Sequence, residues 1–147
     1  MKKPFLLLFL ALFTACSAMP SSELGKNRQT WQDAQIDYYR YTLSLGCFCA
    51  FMEDMPLTIE VINGEMVSMT RSDGTAVDAS SPNYDLYLPY STLDRLFTAV
   101  EEEMDQADAI TVTYEPLLGF PVEVAIDRIE AAVDDELYIQ VSGFQEM

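Results

Sequence analysis

Residues 57–70 have the sequence LTIEVINGEMVSMT, which predicts a β-hairpin from which the rest of the fold can be worked out. The runs on both sides of Asn63-Gly64 consist mainly of apolar residues and Thr, as is typical of strands. Asn-Gly is the strongest short-range hairpin signal, because both central residues of a type I′ turn need positive φ. We therefore expect antiparallel strands over residues 57–62 and 65–70.

The spacing of apolar residues predicts further elements on either side of this hairpin. Residues 24–37 can form a helix, and residues 39–49 alternate as a strand. Residues 72–89 are rich in Ser, Asp, Gly and Pro and predict a long loop. Residues 90–104 predict the clearest helix, with Ser91 or Thr92 as its cap. Three strands should follow, over residues 109–114, 122–127 and 136–144.

The order of these elements predicts an α+β fold composed of two helix-plus-antiparallel-meander (αβββ) units. The helices should pack on one face of the antiparallel sheet, because meander strands pair antiparallel and leave a face to be covered. With a shift of 65 residues, Pro56–Val61 aligns with Pro121–Ile126. This alignment leaves two explanations open, a true duplication and two generic αβββ units.

The first sixteen residues, MKKPFLLLFLALFTAC, predict the signal sequence of a bacterial lipoprotein. Lys2 and Lys3 form a positive region, and the apolar run that follows is too short for a spanning helix of about 20 residues. Cleavage before Cys16 would leave a lipidated cysteine, with ordinary secretion or an uncleaved anchor as the alternatives. We expect a signal peptide over residues 1–15, a lipidated tether over 16–26 and a single globular domain over 27–147.

Charge and composition narrow the classes of partner. The chain has a net charge of −16, and removal of the signal takes away two of eight basic and none of 24 acidic residues, which leaves −18. Such a charge argues against nucleic acid, whose phosphates need a basic surface. A membrane should be contacted through the lipid on Cys16 rather than by a basic face, and Ser17 favours the outer membrane, facing the periplasm.

Cys47 and Cys49 are the candidate chemical residues once Cys16 is lipidated. On a straight strand their Cα atoms would lie about 6.6 Å apart, at the upper edge of the disulfide range, so a bridge needs a bend. An oxidising compartment favours that bridge. A two-thiol site for a soft metal, an intermolecular bridge and buried free thiols remain alternatives. The chain has no histidine, and no catalytic residue, metal site or cofactor is predicted.

We therefore expect a non-enzymatic, lipid-anchored envelope domain that binds or scaffolds another envelope component. Its exposed functional surface is predicted at the aromatic first strand, with Tyr38, Tyr39 and Tyr41, and at the turn Gly119-Phe120-Pro121. Core packing and turn geometry are the alternative explanation for both sets of residues. The alternative hypothesis is a thiol-redox or soft-metal lipoprotein that acts through Cys47 and Cys49. Replacing both cysteines by Ser separates the two hypotheses.

A family pattern runs through residues 30–144. Its elements, after the lipoprotein signal, are Trp31, Tyr39-x-Tyr41-Thr-Leu, Cys47-Phe-Cys49, Asn63-Gly64 after a Pro-led strand, Leu93-x-x-Leu96-Phe97, Val112-x-Tyr114, Gly119-Phe120-Pro121 and Ile126-Asp127. This pattern resembles the uncharacterised bacterial lipoproteins of domain of unknown function 6174. The resemblance implies a fold and a place in the envelope, and it implies no catalytic residue.

Overall fold

A single antiparallel sheet of six strands forms the centre of the molecule. The computed structural model describes residues 22–48, 50–129, 132 and 134–147. The strands are β1 (Tyr38–Gly46), β2 (Leu57–Ile62), β3 (Glu65–Arg71), β4 (Ala109–Tyr114), β5 (Pro121–Asp127) and β6 (Leu137–Glu146). Their order across the sheet is β3-β2-β1-β6-β5-β4, so the first and last strands of the chain pair at its centre.

Helices α1 (Glu23–Asp33) and α3 (Leu93–Met104) pack on one face of this sheet. Between β3 and α3 lie the short helix α2 (Tyr84–Tyr87) and a 3-10 turn (Leu88–Tyr90), and a second 3-10 helix (Ala50–Asp54) follows β1. Ser22 caps α1 by accepting from the Gly25 N–H, and Thr92 caps α3 by accepting from the Arg95 N–H. The α+β class is therefore confirmed, and Thr92 is the cap of the clearest helix.

The core lies between the helices and the inward side chains of the strands. Alternation along β1 places every second side chain in it, and β2, β5 and β6 contribute Val, Ile and Leu in the same way. The largest fully buried side chains come from both halves of the chain and include Tyr39, Tyr41, Tyr87, Phe97, Leu43 and Ile59. One apolar cluster therefore joins the two meanders.

The predicted hairpin is present with the expected turn. Asn63 has φ 51° and Gly64 has φ 77°, which is the positive-φ pair that the Asn-Gly sequence predicts. The predicted loop over residues 72–89 is wrong for residues 84–89, which are helical. Tyr87 is fully buried there and bonded to Asp54, so a tertiary contact overrides the local turn-forming composition.

The proposed duplication is not confirmed by the strand order. The alignment makes β1 equivalent to β4, yet β1 lies at the centre of the sheet and β4 at its edge. The domain also begins earlier than residue 27, because α1 starts at Glu23 and Leu24 is buried. The predicted signal peptide and Cys16 lie outside the described residues. Within the described part of the chain, none of the helices combines the length and the apolar character that crossing a membrane requires.

Candidate functional site

The tyrosines of the first strand are structural residues, so their predicted role as an exposed surface is wrong for two of the three. Tyr39 and Tyr41 are buried, and only Tyr38 faces the other side of the sheet. The Tyr39 hydroxyl accepts from the Leu93 N–H at 3.1 Å, and the Tyr41 hydroxyl donates to the Tyr90 carbonyl at 2.5 Å. Burial raises the pKa of Tyr39 to about 12 and that of Tyr41 well above its ordinary value. Both hydroxyls therefore stay protonated and tie β1 to the start of α3.

The Gly119-Phe120-Pro121 turn is likewise packed against the core. Phe120 is buried, and its ring meets Trp31 edge-on, with 5.8 Å between centroids, and Phe144, with 4.9 Å. Gly119 has φ 79°, and a Cβ there would lie 2.5 Å from the Asn27 carbonyl oxygen of α1. The turn needs glycine because its backbone both adopts a left-handed conformation and touches a helix. Gly119, Phe120 and Pro121 are all buried, so the predicted exposure is wrong for the whole turn.

A polar cluster at Asp54 joins three segments of the first half. Its carboxylate accepts from Arg71 Nε at 2.6 Å, from the Tyr87 hydroxyl at 2.5 Å and from Asn83 Nδ2 at 3.2 Å. The Arg71 bond is the main reason why the pKa of Asp54 falls to about 2. A carboxylate held by three donors at so low a pKa is a poor proton acceptor near neutral pH. The cluster therefore holds the 3-10 helix, β3 and α2 together.

The face of the sheet opposite α1 and α3 carries a depression of about 360 Å³. We call it the open-face depression and define it by its outward side chains, Thr111, Thr113, Glu123, Ala125, Tyr138 and Gln140. Strand pairing places these side chains in two rows across β4, β5 and β6, one through Thr111, Ala125 and Tyr138. The other row runs through Thr113, Glu123 and Gln140. Tyr138 is 57% exposed there.

This half of the open face is acidic. The sequences of β4, β5 and β6 contain no Lys or Arg, while Glu123, Asp127 and Glu136 line the depression or its neighbour of about 230 Å³. Arg128 follows β5 directly, but its guanidinium forms a salt bridge with Glu103 of α3. On β4, β5 and β6, the face opposite the helices therefore presents carboxylates and no basic side chain. On the neighbouring β1, Arg40 lies on the same face and donates to Gln145 of β6.

The two edges of the sheet differ. Beside β3, the segment 75–77 folds back and bonds to the outer side of the strand, with Val77 N–H donating to the Met69 carbonyl at 2.8 Å. Beside β4, no strand among the described residues continues the sheet. The β4 sequence AITVTY is uncharged and rich in β-branched residues, and such an edge can pair with another chain.

A family model described as Family of unknown function (DUF6174) matches residues 23–146. The chain belongs to this family. The match begins at the first residue of α1 and ends at the last residue of β6, so the DUF6174 domain is the whole sheet with its helices. Comparisons with curated proteins and with solved structures found no match.

Structural positions explain the motifs that characterise this DUF6174 domain. Trp31 packs edge-on against Tyr39, with 5.2 Å between centroids, and Gly119 allows the turn after β4 to touch α1. Leu93, Leu96 and Phe97 are fully buried on α3. These motif residues therefore form the packed contact between the helices and the sheet. The open-face depression draws on residues outside the quoted motifs.

The cysteine predictions are only partly covered by the described residues. Cys47 is half-buried just after β1 and is disulfide-bonded, and it lines a depression of about 260 Å³ with Leu45 and Tyr90. Cys49 and Cys16 lie outside the described residues, so a Cys47–Cys49 bridge and lipid on Cys16 stay predictions. Within the described ranges, no three acidic or cysteine side chains are grouped to hold a metal ion.

Thr111, Tyr138 and Glu123 were not predicted from the sequence as functional residues. A signal was available, because alternation puts these residues on the side opposite the Val and Ile residues of their strands. Alternation identifies the outward face of each strand, but it does not identify the strands that lie beside it. The rows across β4, β5 and β6 exist only because of the strand order.

Proposed function

We propose that this chain is a lipid-anchored envelope protein whose domain binds a partner without catalysing a reaction. The observation that carries the proposal is the open-face depression, which lies on the side of the sheet that the helices leave uncovered. An uncovered face with a concave region and an exposed aromatic residue is suited to binding. Lipid on Cys16 would hold the domain at a membrane, with the outer membrane facing the periplasm as the proposed location.

The proposal of a non-catalytic domain is supported by the positions of the groups whose pKa values are most shifted. The pKa values of Tyr39, Tyr41, Tyr87 and Asp54 are shifted by burial or by neighbouring donors. Each of these groups is bonded to another segment of the core, and none of them lines the open-face depression. Tyr39 lines another depression, of about 300 Å³, but its hydroxyl is bonded to the Leu93 N–H, whereas a perturbed group at a catalytic site would be available to a substrate.

Site-specific crosslinking in intact host cells tests the binding function. A photo-crosslinking amino acid replaces Tyr138 in the full-length protein, and a matched variant carries it at Glu102, which is exposed on α3. We expect one stoichiometric envelope protein crosslinked from position 138 and absent from position 102. Recovery of the protein without any adduct from either position would sink the proposal.

The second candidate is a thiol-redox or soft-metal lipoprotein that acts through Cys47 and Cys49. One observation favours the redox form of this candidate, namely that the disulfide-bonded Cys47 lines the depression of about 260 Å³ beside Leu45 and Tyr90. A soft metal would need the reduced thiols. Replacement of both cysteines by Ser distinguishes this candidate from the first. Unchanged crosslinking from position 138, together with loss of a redox response or of bound copper or zinc, would favour the second candidate.

A further inference from the structure

We propose that the β4 edge accepts an extended basic segment of a partner protein as a seventh strand, with that segment's side chains entering the open-face depression. This inference rests on the proposed binding function and names its surface and the chemistry of its partner. It joins three observations: an uncharged edge strand, a depression directly beside it, and carboxylates at defined positions along it.

The backbone of β4 supplies the pairing groups. The Asp108 N–H donates to the Arg128 carbonyl at 3.3 Å, and β4 keeps one register from there to Thr113, with Ala109 opposite Asp127 and Val112 opposite Val124. The register shifts between Thr113 and Tyr114. In an antiparallel ladder, bonding to a given neighbour alternates along the strand. Ile110 and Val112 therefore bond towards β5. The N–H and C=O groups of Ala109, Thr111 and Thr113 point to the outside.

The opposite edge of the sheet is less available. The segment 75–77 bonds to β3, since Arg71 N–H donates to the Thr75 carbonyl at 2.9 Å. A charged residue also lies at each end of β3, Glu65 and Arg71. Charged ends and a covering segment are the usual means of protecting an edge. β4 has no charge within its own range, although Asp108 and Glu115 lie just outside it, and no covering segment pairs with it among the described residues. The structure therefore favours β4 as the edge that a partner joins.

The rows of side chains define what the added strand should carry. Adjacent strands lie about 4.8 Å apart, so Glu123 and Asp127 are roughly 10 Å from a seventh strand, within reach of an extended Lys or Arg. Thr113 lies beside Glu123 and Ala109 beside Asp127, while Thr111 lies beside the small Ala125. The pattern that fits is a basic residue, then an apolar residue two positions on, then a second basic residue after two more.

The net charge of the chain also argues against a second copy of the protein as the added strand. Two mature chains of net charge −18 would repel each other, and β4 pairing would bring two acidic half-faces together. A basic segment instead carries charge opposite to that of this half-face and gains backbone hydrogen bonds along the edge. Addition of a strand to an exposed edge is an established mode of peptide recognition.

Peptide titration of the full-length protein in detergent micelles, followed by amide NMR, tests the inference. The probe is capped Thr-Lys-Thr-Val-Thr-Lys-Thr, whose Lys and Val side chains share one face when it is extended. One control peptide has Glu for both Lys residues. A second control carries an N-methyl group on the central valine, which keeps the charge and the side chains and removes the N–H donor that would bond to Thr111 in an antiparallel pair. We expect the probe to shift the amides of residues 109–114 and to bind less tightly as salt increases.

Matched protein variants locate the binding. Thr111→Pro removes an outward N–H, and the double variant T111K/T113K places positive charge on the edge with the backbone intact. Thr111→Pro should weaken the probe about tenfold and T111K/T113K at least as much. Glu123→Gln should weaken it about threefold, whereas Glu102→Gln, an equal charge change on α3, should not. The double variant decides the question where Thr111→Pro fails to fold.

Several results would overturn the inference. They are no binding of the probe, equal binding of the N-methylated peptide, equal effects of E123Q and E102Q, and self-association of the protein through β4. If one of these is found while crosslinking from position 138 still captures a partner, the edge inference fails and the binding function stands. If crosslinking fails as well, both are wrong.

Discussion

The Tyr39 hydroxyl accepts a hydrogen bond from the Leu93 backbone N–H at 3.1 Å, so the central strand supplies a partner to the first residue of α3. That N–H has no acceptor within the helix, because the first turn of any helix leaves its donors unpaired. Thr92 serves the Arg95 N–H two residues later. Tyr39 of the sheet and the cap residue Thr92 therefore each accept from one backbone N–H in the first turn of α3.

Tyr39→Phe should destabilise the domain by about 1–3 kcal/mol, because it leaves the buried Leu93 N–H without an acceptor. Tyr138→Phe is the matched control, since it removes a hydroxyl from a side chain that is 57% exposed. We expect the control to change stability by less than about 0.5 kcal/mol. Urea unfolding followed by circular dichroism measures both. Equal stability of Y39F and the unmodified protein would show that the hydrogen bond is unimportant.

Gly119→Ala should destabilise more than Gly74→Ala. Both glycines have positive φ, 79° and 84°, so alanine at either position costs about 1–2 kcal/mol of backbone strain. Only at Gly119 would the new Cβ lie 2.5 Å from the Asn27 carbonyl, whereas nothing lies within 4 Å at Gly74. We expect the clash to add about 1–3 kcal/mol. Equal unfolding midpoints for the two variants would contradict the close approach of the turn to α1.

Asp54 should make the free energy of unfolding depend on pH in the acid range. Its pKa is lowered from the ordinary 3.8 to about 2 in the folded protein, chiefly by the Arg71 hydrogen bond. The stabilisation is therefore fully present above the unfolded pKa and is lost as the pH falls through 3.8 towards 2. Asp54→Asn should lower stability at neutral pH and flatten this part of the pH profile.

Asp85→Asn is the control for the Asp54 variant, since Asp85 is an exposed acid on α2. Urea midpoints measured between pH 2 and pH 6 compare the two variants with the unmodified protein. The Asp85 variant should retain the loss of stability at low pH. The same profile in D54N as in the unmodified protein would show that the Asp54 cluster does not contribute.

Cys16→Ser should release the protein from the membrane fraction and abolish labelling with a fatty acid, because the lipid would be attached to that thiol. Ser17→Ala keeps the thiol and should remain labelled and membrane-bound. Fractionation of cells grown with a labelled fatty acid measures both effects. Labelling that persists in the Cys16 variant would rule out Cys16 as the lipidation site.

The candidate surface could be predicted from the sequence only in part. The alternation of β5 predicts that Glu123, Ala125 and Asp127 share a face. The aromatic residues of the first strand were predicted to lie at the surface, but Tyr39 and Tyr41 are buried. Alternation separates two faces of a strand, but it does not tell which of them the helices will cover.

The sequence by itself determined the local elements of this protein: the Asn63-Gly64 hairpin, the Thr92-capped helix and the alternating strands. These depend on interactions among residues within a few positions of each other, which the spacing of residue types reveals. Tertiary structure alone decided that β1 pairs with β6, that β4 becomes an edge, and that residues 84–87 form a helix. Those outcomes depend on contacts between distant segments, such as Tyr87 with Asp54, and on burial of apolar side chains shared by both halves.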